Sequence, residues 1–180
     1  MASKFIAKLD AISAAGTPWK TFLKKLGPIH AQWHTEHNLG TGDIGFLLFH
    51  WELVKRFKKV GADVGVGGAG GIQPFSLLQL QNDNATYTVT NTVSQGDMPG
   101  LEDFSLELEA WHNDAHMNIG MVIHKNLMNP RTNIKIPEFW RLHYFINDRF
   151  EEQLKKFGAP GSTPGGLVAT LEAGPGVTEV

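Results

Sequence analysis

At 180 residues, with 16 basic and 18 acidic side chains and a formal net charge of −2, the chain fits one domain around a single core. That charge offers no electrostatic attraction to nucleic acid or to an anionic membrane, so neither partner is expected. Cysteine is absent, which excludes a disulfide framework, a thiolate metal site and a cysteine nucleophile and leaves imidazole or carboxylate to hold any metal.

The first ten residues interrupt their apolar positions with Lys4, Lys8 and Asp10. They form no secretory core, no later run is long enough to span a bilayer, and a cytoplasmic protein is expected. Phe5, Ile6, Leu9 and Ile12 recur at helical spacing over 2–14, which predicts an amphipathic first helix. Gly16-Thr17-Pro18 ends it and starts the next, with Thr17 as N-cap and Pro18 in the first helical position. Gly27-Pro28 reads as a second break, which places His30 and His34 in the first two turns of a new helix. Asp43 is the expected N-cap of a helix over 44–59, whose inward face carries Phe46, Leu47, Phe49, His50, Leu53, Val54 and Phe57.

Residues 61–71 contain six glycines, but no Lys-Ser or Lys-Thr follows them, so they read as a flexible loop and not as a phosphate cradle. A small irregular or β excursion is expected over 72–100, where Thr86 to Val93 alternates like a strand. The next helix begins after Gly100, carries Leu101, Phe104, Leu106, Leu108 and Trp111, and runs through His112 and His116 to about Met121. Pro137 to Phe157 has a proline at its start, Glu138 in its first turn and Lys155 and Lys156 in its last, all helix signals, with Gly158 as C-cap. Its apolar face comprises Phe139, Trp140, Leu142, His143, Ile146, Phe150 and Leu154. Residues 158–180 form a Gly/Pro-rich tail, so the domain is expected to span 1–157.

Six of the eight histidines fall into two copies of one pattern. His30 and His34 lie four residues apart and are followed by a lone His50; His112 and His116 repeat that spacing and are followed by His143. In a helix, residues four apart share a face, so each pair can aim two imidazoles at one point. A single H-x-x-x-H pair is more often solvated or satisfied by hydrogen bonds than metal-bound, but chance seldom produces two copies of pair then single. The residues therefore predict a mainly α protein, a four-helix bundle holding a dinuclear metal site. Three imidazoles per ion leave room for an exogenous ligand. All-imidazole ligation favours copper, zinc or nickel. A di-iron carboxylate bundle needs two Glu-x-x-His motifs, and only Glu109-x-x-His112 fits.

These motifs resemble the type 3 copper proteins, the family of tyrosinases, catechol oxidases, phenoloxidases and haemocyanins. Trp111-His112-Asn113-Asp114-Ala115-His116 resembles the family's H-N-x-x-H segment, and Pro137 to Phe150 resembles its P-x-F-x-x-x-H segment with trailing aromatic. His30-x-x-Trp33-His34 and Phe46-x-x-x-His50 are similar to ligand motifs of the arthropod branch. The resemblance covers roughly residues 28–60 and 105–157. It implies that His30, His34 and His50 hold one copper and His112, His116 and His143 the other, with dioxygen bound between them as co-substrate.

The implied activity is hydroxylation of monophenols or oxidation of o-diphenols or o-aminophenols to quinones, on a small phenolic substrate and with room for a copper-loading partner. Asn113 occupies the position of an asparagine that orients a proton-accepting water in the family, with Glu102, Asp103 or Asp114 as the assisting carboxylate. The chain departs from the family in three places. Asn147 replaces an aspartate expected to orient a ligand imidazole, Leu142 precedes His143 where tyrosinases have a second histidine, and no cysteine is available for a thioether crosslink. Two alternatives from other classes are reversible oxygen binding without turnover, as in haemocyanins, and a histidine-bound zinc site.

Overall fold

A computed structural model of the chain describes residues 2–37, 44–65, 71–76, 80, 100–157 and 163–167. It is mainly helical, and no strand occurs among the described residues. Among the described residues five long helices make the body: α1 (Ala2–Ile12), α2 (Trp19–Glu36), α3 (Gly45–Asp63), α4 (Leu101–Val122) and α5 (Pro137–Phe157). Two short 3-10 turns, Lys125–Met128 and Asn133–Lys135, lie between α4 and α5. None of the described helices is long and apolar enough to cross a membrane.

α3 is the central element and packs against α1, α2, α4 and α5. Its seven expected core residues are all buried, as are the seven of α5, because both helices carry apolar stripes wide enough to meet a neighbour on each flank. α1 lays Phe5, Ile6, Leu9 and Ile12 across α2 and α3. On its outer side Lys4 reaches Glu36 at 2.7 Å and Lys8 reaches Gln32 at 2.7 Å, both on α2. Asp10 bonds Arg56 of α3 at 2.6 Å, and Arg56 in turn pairs with the buried Glu52. The apolar side chains form one contiguous cluster running through all five helices.

Several expectations need correction. α2 does not break at Gly27-Pro28: one helix runs from Trp19 to Glu36 with Pro28 inside it. Proline there removes one backbone bond, the one to the Lys24 carbonyl, and the helix survives because both sides of the break are packed. Thr17 is not the cap either; Pro18 takes the extended cap conformation and the helix starts one residue later than expected. α1 stops at Ile12, two residues early.

The glycine-rich stretch is helical in its first three residues, since α3 continues to Asp63 before a turn at Gly65 with φ of +69°. On α4, Leu106 is 37% exposed instead of in the core. Leu167, in the expected tail, packs against the core cluster. Asp43, the strand-like run Thr86–Val93 and Gly158 lie outside the described residues.

Candidate metal centre

The four histidine-bearing helices α2 to α5 bring all six expected rings into one cluster. α2 sets His30 and His34 one turn apart with their Nε2 atoms 3.1 Å from each other. On α3, His50 Nδ1 donates to the Phe46 carbonyl one turn earlier at 2.8 Å. α5 repeats the device, with His143 Nδ1 donating to the Phe139 carbonyl at 2.7 Å. Phe-x-x-x-His is thus a self-orienting unit, in which the helix's own carbonyl fixes one ring nitrogen and aims the other inward. The phenylalanines also bridge the two halves. The Phe46 ring lies 5.1 Å from His112, and the Phe139 ring 5.1 Å from His30.

The segment joining α4 and α5 supplies two more anchors. His30 Nδ1 donates to the Pro130 carbonyl at 2.9 Å, and His116 Nδ1 donates to the Leu127 carbonyl at 2.8 Å. The Leu127 carbonyl also accepts from buried Asn133 Nδ2 at 3.2 Å. Two glycines let this segment approach. A Cβ at Gly27 would collide with the Arg131 carbonyl oxygen, and one at Gly120 would lie 2.5 Å from Met128 Cγ.

A carbonyl oxygen can only accept, so Nδ1 carries the proton in His30, His50, His116 and His143. All six imidazoles are held neutral, chiefly because burial disfavours the charged form and, for all but His116, also because their neighbours are other histidines. His30 is pushed down to about 3 and His116, on burial alone, to about 4. Burial likewise lowers His34, His50, His112 and His143, with neighbouring histidines adding to it. A neutral ring protonated at Nδ1 presents a bare lone pair at Nε2, so four lone pairs are fixed among the inward-facing nitrogens.

The ligand atoms of His30, His34 and His50 lie within 4.8 Å of one another, and so do those of His50, His112 and His143. Either group could hold a metal ion. His50 belongs to both, whereas the second group expected from the spacing was His112, His116 and His143. His116 stands beside it, its ring 4.4 Å from His112 and 5.4 Å from His143. The Nε2 atoms of His50 and His116 are buried with no hydrogen-bond partner among the described residues.

Other expected residues sit as follows. Asn113 is half-buried on α4 next to His112, while Glu102, Asp103 and Asp114 are exposed. The buried carboxylate of that helix is Glu109, one turn before His112, and it faces His37 at 3.2 Å. The sequence left His37 as a spare histidine, yet it is buried and stacks on Trp33 with ring centroids 4.2 Å apart. Trp33 in turn meets His34 and His50 edge-on, each at 4.9 Å. Spacing held the clue: His37 is one turn after His34, and Glu109 one turn before His112. The other spare, His124, accepts from the Asn126 backbone N–H at the head of the first 3-10 turn. Asn147 Oδ1 has no hydrogen-bond partner among the described residues, and the orientation of His143 comes from the Phe139 carbonyl; the departure at that position therefore leaves the ring's hydrogen bond intact.

No family model, curated protein or solved structure matches the chain.

Proposed function

We propose that the six histidines hold two copper ions and that the chain is an oxidoreductase using dioxygen on phenols, o-diphenols or o-aminophenols. The observation that carries this reading is the count of lone pairs. With Nδ1–H fixed on four rings, only His34 and His112 have a proton to offer at Nε2. Their contacts to His30 at 3.1 Å and His143 at 3.3 Å use both. His50 and His116 remain with unpartnered Nε2 acceptors and His112 with an unpartnered Nδ1, and each such group costs about 1–3 kcal/mol. Two cations among these nitrogens would engage the six Nε2 lone pairs once the protons of His34 and His112 move to Nδ1, and an all-imidazole, thiolate-free donor set suits copper.

The residues divide the work as follows. His30, His34 and His50 hold one ion, and His112, His116 and His143 the other, with His50 within reach of both groups. Phe46 and Phe139 pack the rings in place, and the Phe46, Phe139, Leu127 and Pro130 carbonyls fix their tautomers. Copper held by these residues would supply redox equivalents for dioxygen and Lewis acidity toward a phenolic oxygen. Asn113 is assigned the orienting of a water that takes the phenolic proton. Burial of the rings excludes bulk water and keeps them neutral, which ligation requires.

A second reading, reversible oxygen binding without turnover, is favoured by the same burial, since five of the six imidazoles are 9% exposed or less and only His34 is half-buried. One experiment separates the readings. Copper analysis together with an oxygenation spectrum should give two coppers per chain and a colourless reduced form that gains a strong near-ultraviolet band with oxygen. Rapid loss of that band on adding catechol supports the oxidase, and its persistence supports the carrier. One copper per chain, or zinc in its place, overturns both. His50→Ala should abolish the band while the helical signal remains.

A further inference from the structure

His50 and His143 face the metal cluster, but the residues that follow them, Trp51 and Tyr144, lie about 100° further round their helices. They line a cavity of about 420 Å³ on the outer flank of α3 and α5, within the size range of small-molecule sites. Lys58 stands over the Tyr144 ring at 4.3 Å, and Lys55 over the Trp51 ring at 4.8 Å. Asp148 and Glu151, one turn apart on α5, line the other side.

Among the described residues, Lys58, Asp148 and Glu151 form no ion pair within 4.0 Å. Burial, and then Glu151, raises the Asp148 carboxyl above its ordinary range against the opposing pull of Arg149 and Lys58. Asn147, also lining the cavity, is 8% exposed and its Oδ1 has no hydrogen-bond partner. A buried amide acceptor of this kind needs a donor.

We infer that this cavity is a second ligand site, separate from the histidine cluster, for an amino acid-sized zwitterion with an aromatic side chain. Lys58 meets the ligand's carboxylate, Asp148 and Glu151 its ammonium group, Asn147 Oδ1 accepts one of the ammonium hydrogens, and Trp51 and Tyr144 flank the side chain. Cation and anions sit on opposite helices, α3 and α5, so the ligand's charges have a fixed direction across the gap. A simple anion would be repelled by the two carboxylates and a simple cation by the lysines.

The test uses L-phenylalanine, which has no phenolic hydroxyl, and titrates it calorimetrically into the full chain with and without copper. Saturable one-to-one binding with Kd of about 1 mM or tighter is expected in both forms. Phenethylamine and 3-phenylpropionate, each lacking one charge, should bind at least about tenfold more weakly. Lys58→Glu and Asn147→Leu should each weaken L-phenylalanine binding about tenfold or more. Asn147→Leu removes an unpartnered buried polar atom, so its melting temperature should hold or rise while binding is lost. No saturable binding overturns the proposal, as does equal binding of the singly charged analogues or unchanged binding in both variants. Neither oxygen nor turnover enters the measurement, so its failure leaves the copper reading standing and the converse also holds.

Discussion

Acid should unfold the metal-free chain unusually early, and the size of the effect follows from the buried rings. All six imidazoles have folded-state values below the ordinary 6.5, with His30 near 3 and His116 near 4. In the unfolded chain they return to about 6.5. Below that pH the unfolded state binds more protons than the folded one, so stability falls as pH falls, and it goes on falling until the folded values are reached.

Each ring contributes about 1.2 kcal/mol of lost stability between pH 7 and pH 5.5, and six together contribute about 7 kcal/mol. A domain of this size holds about 5–15 kcal/mol in total, so the midpoint should fall between about pH 6 and pH 4.5. Helical circular dichroism against pH measures it, and the slope of stability against pH should report an uptake of about five to six protons. Copper competes with protons for the same nitrogens, so the loaded protein should unfold at least about one pH unit lower. A metal-free protein whose helical signal is unchanged down to about pH 4, or an uptake of only one or two protons, would falsify the account of the cluster as neutral in the fold.

Two glycines in helices should both resist alanine, to different degrees. Gly27→Ala drives a Cβ into the backbone carbonyl of Arg131, and a loss of about 1–3 kcal/mol should appear in thermal melts together with weaker copper binding, because the Pro130 carbonyl that orients His30 must shift. Gly120→Ala puts a Cβ 2.5 Å from Met128 Cγ with the Met128 backbone N behind it at 3.5 Å. Met128 must therefore shift and the melting temperature should fall, but by less than for Gly27→Ala, because the nearest obstacle is a side chain and the alanine's helix propensity returns up to about 1 kcal/mol. Glu109→Leu strands the buried His37 without its partner and should cost about 1–3 kcal/mol; the double variant with His37→Phe should recover most of that in a denaturant titration, and no recovery would mean that the two side chains are not coupled. Asn113→Ala should slow monophenol hydroxylation more than catechol oxidation, and an equal loss in both rates removes it from proton handling.

Helical periodicity made much of this protein readable from its residues alone. The inward faces of α3 and α5, the first helix and the sharing of a face by each histidine pair all follow from local spacing, because 3.6 residues per turn decide which side chains neighbour one another. Gly27-Pro28 misled because both residues favour a break in isolation, whereas packing holds α2 continuous and Gly27 serves the close approach of the Arg131 carbonyl. Leu167 misled because a glycine-rich composition says nothing about one apolar side chain finding a groove.

What no local pattern contained is how the rings are held and grouped. The carbonyls of Pro130 and Leu127, the place of His50 between two triads, and the burial of His37 against Glu109 join residues up to 100 positions apart. Such distances depend on how closely helices pack, and that is set by the whole core at once. The pattern of histidines was written in the chain; the protonation state and direction of each lone pair came only with the fold.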